Sequence, residues 1–118
     1  MKVLIVGGSG RVATWTMPHM RKRHELRVLD IRPPSVRGSE YVQGSMTAPE
    51  SLRRALDGVD SFINMVKSPT PVGNVDATDR QVIDNYEVNT LGLHLLLKTA
   101  HSMGITSGVH TSTFTVHR

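Results

Sequence analysis

Residues 3–13 read VLIVGGSGRVA, an apolar run that stops at a glycine-rich turn. The continuous β-branched and leucine residues from Val3 to Val6 are typical of a strand buried on both faces, as in a parallel sheet. Apolar side chains then recur at helical spacing over residues 11–23, where Pro18 should kink the helix. The stretch therefore predicts a buried strand, a tight turn and a helix in succession.

Small residues recur at intervals of three in this turn, at Gly7, Gly10 and Ala13. Gly7 permits a tight turn, Gly10 lets a phosphate approach the backbone without meeting a Cβ, and Ala13 allows the helix to pack closely on the strand. The helix behind the turn adds unpaired N–H groups and the positive end of its dipole. This arrangement favours a turn that binds the pyrophosphate of a dinucleotide.

Asp30 ends the second predicted strand, residues 26–30. A carboxylate in that place can accept both ribose hydroxyls of an adenosine and would repel a 2′-phosphate, so it favours NAD over NADP. Two alternatives stay open. Arg11 and Arg32 could hold a 2′-phosphate, which keeps NADP as the less favoured cofactor, and Asp30 could instead cap the turn before Pro33.

The rest of the chain continues to alternate, with further strands predicted at 40–43, 61–66 and from 108 to 113 or beyond. A capping box from Thr47 to Glu50, with Pro49 in the first turn, begins a second helix that Gly58 ends. The segment 67–78 is expected to be a loop, and loops of that length in compact domains often cover sites. Short strands alternating with helices predict an α/β protein with a parallel sheet.

A long helix is expected over residues 79–103, with Gly104 after its last turn. Its apolar side chains recur at spacings of three and four and predict one buried stripe. The stripe consists of Val82, Tyr86, Asn89, Leu93, Leu96, Ala100 and Met103. Asn89 is an amide within it, so its side chain either faces a ligand or is an ordinary buried amide bonded to a neighbouring carbonyl.

The composition of the 118 residues excludes several classes of protein. There is no cysteine, which excludes disulfide frameworks, iron–sulfur clusters and thiol nucleophiles and fits a cytoplasmic location. The six histidines are scattered, so no metal site is expected. Lys and Arg exceed Asp and Glu by only 14 to 10 and aromatic residues are 4%, which argues against a nucleic-acid partner. No apolar run approaches the roughly 20 residues that span a bilayer, so no membrane partner is expected.

Five segments, in order along the chain, resemble motifs of the extended short-chain dehydrogenase/reductase family, the NAD-dependent epimerases and dehydratases of nucleotide sugars. The motifs are the Gly-x-x-Gly-x-x-Gly/Ala turn, the ribose-binding strand end, the adenine site, the helix motif Asn-x-x-Gly-Thr and the catalytic strand end Ser-Ser-x-x-Val-Tyr-Gly. They are matched by residues 1–13, 29–32, 42–47, 87–93 and 111–117. The resemblance implies a Rossmann-type, doubly wound parallel sheet with strand order 3-2-1-4-5, incomplete at its C-terminus.

The resemblance also implies where a dinucleotide lies: its pyrophosphate on the glycine-rich turn, its ribose at the end of the second strand, and its adenine after the third. Two positions depart from the family pattern, because Ser45 replaces the usual Asp at the adenine site and Lys67 replaces a small residue. The residues that the resemblance assigns to the cofactor are Gly7, Gly10, Arg11, Val12, Ala13, Asp30, Ile31, Arg32, Ser45, Met46, Met65, Val66, Lys67 and Asn89.

For catalysis, the resemblance assigns to Thr113 the hydroxyl that polarises the substrate oxygen, and to Ser112 if the register is shifted by one residue. The family's proton-transferring Tyr-x-x-x-Lys is not among these residues, because neither Tyr41 nor Tyr86 has a lysine four residues on. Residues 1–118 are therefore expected to be the N-terminal, cofactor-binding part of a longer protein, without the sixth strand and the substrate domain.

The implied function is that of an NAD-dependent epimerase, dehydratase or dehydrogenase of a sugar or nucleotide sugar, and uronate, aldose and steroid-type dehydrogenases are equally compatible. Hydride would pass to the nicotinamide and a proton to the downstream tyrosine. The uncovered edge of the fifth strand is expected to pair with a second copy, which predicts a homo-oligomer. The alternative is a non-catalytic NAD(P)-binding sensor or regulatory module, which the missing Tyr-x-x-x-Lys favours.

Overall fold

Strands and helices alternate along the chain in the computed structural model, which describes residues 1–66 and 75–111. The strands are β1 (Lys2–Val6), β2 (Glu25–Asp30), β3 (Glu40–Gln43), β4 (Ser61–Asn64) and β5 (Gly108–His110). The helices are α1 (Arg11–Met20), α2 (Pro49–Leu56), α3 (Asp79–Tyr86) and α4 (Gly92–Ser102), with a π-helical turn (Glu87–Leu91) between α3 and α4.

The described strands form one sheet in the order β3-β2-β1-β4-β5, and each pair of neighbours is parallel. The predicted Rossmann-type fold and strand order are confirmed. β1 lies in the middle, where Val6 is in register with Leu29 of β2 and with Asn64 of β4. The carboxyl ends of these three strands therefore meet at one edge of the sheet, the edge where doubly wound proteins bind their ligands.

Helices cover both faces of the sheet, so the apolar residues of β1 are buried on either side. Side chains alternate along a strand, and Val3 and Ile5 accordingly pack with Ala13 and Met17 of α1. On the other face, apolar side chains of the sheet pack with those of α2 and α4. This cluster includes Leu4, Val6 and Leu29 from the strands and Leu52, Leu56 and Leu96 from the helices. Burying a side chain of this size contributes about 1.5–3 kcal/mol, so these two clusters hold the layers together.

α1 is shorter than the sequence predicts, ending at Met20 instead of residue 23. Pro18 lies inside it and is accommodated in its last turn. The next residues form tighter turns, in which Lys22 N–H donates to His19 O at 3.4 Å and Arg23 N–H donates to Met20 O at 3.1 Å. The α-helical pattern therefore stops a few residues after the proline that weakens it.

The predicted capping box of α2 is wrong. Its N-cap is Ala48, one residue after Thr47, and the methyl group of alanine cannot accept a hydrogen bond. The hydroxyl of Thr47 pairs with Ser45 Oγ at 2.7 Å instead. Pro49 does occupy the first turn as predicted. A capping box is found at α3, where Thr78 Oγ1 accepts from Gln81 N–H at 3.3 Å and Gln81 Oε1 accepts from Thr78 N–H at 2.9 Å.

The long helix predicted over residues 79–103 is divided by the π-helical turn. The single buried stripe predicted along it is wrong for its first half, because Val82 and Tyr86 are 44% and 69% exposed, whereas Leu96 and Ala100 are 0% and 2% exposed. A π-helical turn inserts one residue into the helix and so rotates the next helical segment by about 100°. The faces of α3 and α4 consequently do not line up.

The fourth strand is shorter than predicted, and the predicted fifth strand extends beyond the described residues. β4 ends at Asn64 instead of residue 66. β5 is described to His110, and residues 112–118, like the predicted loop residues 67–74, lie outside the described part. Within residues 1–66 and 75–111, no helix is long and apolar enough to cross a membrane.

Candidate functional site

The glycine-rich turn after β1 is fixed by its own backbone and by the chain that leaves β4. Gly7 has φ +83°, a conformation that favours glycine, and a Cβ added to it would lie 2.8 Å from Val66 N. Its N–H donates to Leu29 O at 2.9 Å, and its carbonyl accepts from Gly10 N–H at 3.1 Å. Gly7 is therefore required both by its conformation and by the close approach of Val66.

Gly8 is a second constrained position, and the three-residue spacing that singles out Gly7, Gly10 and Ala13 passes over it. A Cβ at Gly8 would lie 2.6 Å from Val28 Cγ1, so the turn can rest on β2 only without a side chain here. The adjacent pair of glycines was the available signal in the sequence. At Gly10 the added Cβ would meet Gly7 O at 3.3 Å, a tight but less severe contact.

The start of α1 offers free donors beside this turn. Gly10 is the N-cap and, as a glycine, has no side chain that could cap the N–H groups of the first helical turn. Arg11 and Val12 occupy that turn and are exposed, while Ala13 is buried against the sheet. An anion placed here would meet backbone donors and the positive end of the helix dipole.

Asp30 lies next to the turn and is hydrogen-bonded to it. Its Oδ2 accepts from Ser9 N–H at 3.0 Å and its Oδ1 accepts from Arg32 N–H at 3.2 Å, while Ser9 Oγ donates to Arg32 O at 2.6 Å. Asp30 thus caps its own turn, which is the alternative role that the sequence left open. Its carboxylate also lies beside the expected phosphate site. Ile31 and Arg32 come directly after it with exposed side chains.

The two residues expected at the adenine, Ser45 and Met46, differ in solvent exposure. Ser45 is half-buried and its Oγ accepts from Thr47 N–H at 3.2 Å. Met46 is 4% exposed and belongs to the core on the α2/α4 face. Its side chain fills the space above Gly92, where an added Cβ would lie 2.6 Å from Met46 Cγ. The side chain of Met46 therefore holds the segment against α4, and Ser45 offers more of its surface at this place.

The residues after β4 continue the same edge of the sheet. Met65 N–H donates to Val6 O at 2.8 Å, and both Met65 and Val66 are half-buried. Their side chains join the apolar clusters on opposite faces of the sheet. The next expected cofactor residue, Lys67, lies outside the described residues, as do Ser112 and Thr113.

Asn64, the last residue of β4, is a buried polar residue that the sequence reasoning missed. It is 1% exposed, its Oδ1 accepts from Val66 N–H at 3.1 Å, and its Nδ2 lies 3.1 Å from Nδ1 of His110 on β5. Its carbonyl accepts from the N–H and the hydroxyl of Thr111 at 3.1 and 3.0 Å. An amide at the end of an otherwise apolar strand was the signal that could have found it.

Asn89 lies within the π-helical turn, half-buried, and donates from Nδ2 to Asn85 Oδ1 at 3.1 Å. π-helical turns occur frequently at functional sites. Three residues on, Gly92 contacts Met46, so the turn is held close to the segment after β3. The structure brings this turn near the Ser45 segment, and the glycine-rich turn near Asp30 and Val66.

The described residues hold no cluster of three or more His, Asp or Glu side chains that could bind a metal ion. Among residues 1–66 and 75–111, this edge offers backbone donors at the start of α1, a carboxylate at the end of β2, and amides at the end of β4 and in the π-helical turn. Such a set suits a phosphorylated ligand with sugar hydroxyls.

Known proteins match both the sequence and the fold. The NAD-dependent glucose-6-phosphate dehydrogenase of Haloferax volcanii is 30% identical over 89 residues, which cover 70% of this chain and 34% of that protein. The 3 beta-hydroxysteroid dehydrogenase/Delta 5-->4-isomerase of Mycobacterium tuberculosis is 28% identical over 119 residues, which cover 98% of this chain and 32% of that protein. The chain thus spans about a third of the length of these curated relatives.

Solved structures share the fold. A short-chain dehydrogenase/reductase superfamily protein from Agrobacterium tumefaciens with bound NAD superposes with a TM-score of 0.86 at 24% identity, covering 99% of this chain and 34% of that one. UDP-glucose 4-epimerase of Thermus thermophilus, in complex with NAD, superposes with a TM-score of 0.79 at 23% identity, covering 96% and 38%. The model of the NAD dependent epimerase/dehydratase family matches residues 3–117. Because that match spans nearly all of the sequence, the chain belongs to the NAD dependent epimerase/dehydratase family.

Proposed function

We propose that the chain binds NAD at the carboxyl edge of its sheet and forms the cofactor-binding part of an oxidoreductase. The observation that supports this most directly is the hydrogen bond from Ser9 N–H to Asp30 Oδ2, 3.0 Å long. This hydrogen bond holds a carboxylate that could accept ribose hydroxyls directly beside a turn that could bind a pyrophosphate. The bare first turn of α1 provides the donors that the phosphates need.

Each part of the cofactor has residues that would hold it. The turn from Gly7 to Ala13, with the amides of Arg11 and Val12, would bind the pyrophosphate. Asp30 would bind the adenosine ribose, with Ile31 and Arg32 beside it. Ser45 would flank the adenine, with the backbone of the buried Met46 behind it. Met65, Val66 and Lys67 would line the cofactor after β4, and Asn89 would face it from the π-helical turn.

NAD is the proposed cofactor in preference to NADP. The carboxylate of Asp30 would repel a 2′-phosphate, and both of its oxygens are already fixed by Ser9 and Arg32 N–H groups. The side chain of Arg32 is exposed. Among the described residues, Arg32 donates to Asp30 through its backbone N–H and not through its guanidinium. We expect the repulsion to outweigh any attraction that Arg32 or Arg11 provides.

The proposed reaction is the oxidation of a carbinol in a sugar or nucleotide sugar. Bound NAD would supply the hydride acceptor. Thr113, or Ser112, would donate a hydrogen bond to the substrate oxygen, and a tyrosine of a Tyr-x-x-x-Lys motif in a longer chain would take the proton. The glucose-6-phosphate dehydrogenase relative and the neighbouring UDP-glucose 4-epimerases support the sugar class, while the steroid dehydrogenase relative keeps a second class open. The curated relatives are dehydrogenases, so nothing in them favours a non-catalytic sensor.

Calorimetric titration of the purified chain with NADH, and with NADPH in parallel, tests the cofactor assignment. We expect saturable NADH binding and weaker NADPH binding. Absence of NADH binding to a chain that circular dichroism shows to be folded would refute the proposal. A cytoplasmic location and a homo-oligomer belong to the same proposal, and light scattering at several concentrations tests the latter.

A further inference from the structure

Asn64 and His110 face each other across the carboxyl ends of β4 and β5, where their Cα atoms are in register. Asn64 is 1% exposed, and its Nδ2 lies 3.1 Å from His110 Nδ1. His110 itself is exposed. The pair therefore joins a buried amide to an imidazole that reaches solvent.

The partners of Asn64 decide which way its amide is turned. Val66 contributes an N–H at 3.1 Å, and an N–H can only donate, so the atom that faces it must be the carboxamide oxygen. The NH2 group then faces His110 Nδ1 and can only donate to it. Nδ1 must therefore be the accepting nitrogen, which makes the imidazole neutral with its proton on Nε2.

The same residue ties this pair to the glycine-rich turn. Val66, whose N–H Asn64 accepts, is the residue that lies directly against Gly7, within 2.8 Å of an added Cβ. On the other side, the carbonyl of Asn64 accepts both the N–H and the hydroxyl of Thr111. Asn64 thus fixes the end of β5 relative to the proposed phosphate site.

The strand order indicates which half of a dinucleotide would meet this pair. With the adenosine ribose at β2 and the pyrophosphate at the turn after β1, the second half of the molecule must continue over β4 and β5. The Nε2–H of His110 makes no hydrogen bond to any of the described residues, so it is available as a donor at that end.

We propose that Asn64 is a positioning residue that holds His110 as the Nε2–H tautomer, and that this N–H donates to an oxygen of the nicotinamide half of the bound dinucleotide. The inference rests on the proposed NAD site and adds a residue pair to it. It predicts a contact made by NADH and not by ADP, because ADP ends at the pyrophosphate.

The tautomer is tested first, by two-bond ¹H–¹⁵N correlation of the imidazole rings at mildly alkaline pH, about 8. His110→Phe assigns the signal. We expect Nδ1 to give the shift of an unprotonated nitrogen and Nε2 that of a protonated one. In Asn64→Asp the carboxylate still accepts from Val66 N–H but can no longer donate, so the proton should move to Nδ1. A wild-type proton on Nδ1, or no change in Asn64→Asp, would overturn the proposal.

The contact is tested by calorimetry with two ligands, NADH and ADP. His110→Phe should weaken NADH binding about fivefold, the loss of one net hydrogen bond, and leave ADP binding unchanged. Asn64→Asp should weaken NADH binding more than ADP binding, because its added charge lies near the phosphate turn and only NADH also loses the contact with His110. His101→Gln, an exposed histidine of α4, is the matched control and should change neither affinity. If both ligands lose affinity equally, the pair has only a structural role and the proposal is wrong. If the wild-type chain binds neither ligand, the proposed NAD binding is wrong as well. The experiment therefore distinguishes failure of the proposed His110 contact from failure of the proposed function.

Discussion

The backbone N–H of Ser9 donates to Oδ2 of Asp30 at 3.0 Å, which ties the turn after β1 to the last residue of β2. The hydroxyl of Ser9 reinforces this link by donating to Arg32 O at 2.6 Å. The carboxylate proposed for the ribose is thus held by the turn proposed for the pyrophosphate. Contacts to these two parts of a dinucleotide should therefore be energetically coupled.

Asp30→Ala should weaken NADH binding about tenfold, because it removes charge-assisted hydrogen bonds to the ribose. NADPH should lose less, since the repulsion of its 2′-phosphate disappears with the carboxylate. Parallel titrations with both cofactors measure the ratio. Asp57→Ala, at an exposed position after α2, serves as the control. Unchanged affinities for both cofactors would show that Asp30 does not contact the ribose.

Ser9→Ala should weaken NADH binding by about threefold, because the variant keeps the N–H bond to Asp30 and loses only the hydroxyl bond to Arg32. The cause would be a less ordered link between turn and strand. Ser102→Ala removes a comparable bond, Oγ to Thr99 O at 2.8 Å in α4, far along the chain from this link. That control should lose stability in urea to a similar extent without losing affinity. Equal affinity losses in the two variants would argue against the coupling.

Gly8→Ala should lower the free energy of unfolding by about 1–3 kcal/mol, the usual cost of overpacking a core. The new Cβ would lie 2.6 Å from Val28 Cγ1, and Val28 is fully buried, so neither atom can move aside freely. Adding Val28→Ala to Gly8→Ala creates the missing space, and the double variant should be more stable than the sum of the two single losses predicts. Urea unfolding of all four proteins gives this interaction energy. Strict additivity would mean that the backbone moves away instead.

Glu40 should make the stability of the chain depend on pH. Its carboxylate accepts from Lys2 Nζ at 2.9 Å and from Arg27 Nε at 2.8 Å, and these hydrogen bonds, the Lys2 bond first, hold the pKa of Glu40 below its usual value. A lowered pKa stabilises the folded state above the usual glutamate pKa, and that stabilisation is lost as pH falls through the lowered pKa. Because Glu40 is largely exposed, the effect should stay below about 1 kcal/mol.

The measurement compares urea midpoints of the wild-type chain and Glu40→Gln between neutral and acidic pH. The wild-type chain should be more stable near neutrality, and the difference should shrink as the carboxylate is protonated. Glu25→Gln, at an exposed position of β2, is the control for the loss of one charge. A difference between wild type and Glu40→Gln that stays constant with pH would contradict the assignment.

Local pattern was enough to predict the order of elements and the parallel sheet. The apolar run from Val3 to Val6 meets a glycine pair, and each signal depends on neighbours within a few residues. The same local reasoning failed at α2, where the N-cap is Ala48, one residue after Thr47, and the hydroxyl of Thr47 pairs with Ser45 instead. It failed again along residues 79–103, because no local pattern announced the π-helical turn that rotates α4 relative to α3.

The sequence by itself determined the alternation of strands and helices, the glycine turn and the acidic residue at the end of β2. These depend on side-chain periodicity and backbone freedom, which act over short stretches of chain. Only the tertiary structure decided that Gly8 must lack a side chain against Val28, that the side chain of Met46 is buried in the core against Gly92, and that Asn64 pairs with His110. Each of these depends on a distance of a few ångströms between residues far apart in sequence. Such distances are set by strand register and helix packing together, and no single stretch of sequence contains them.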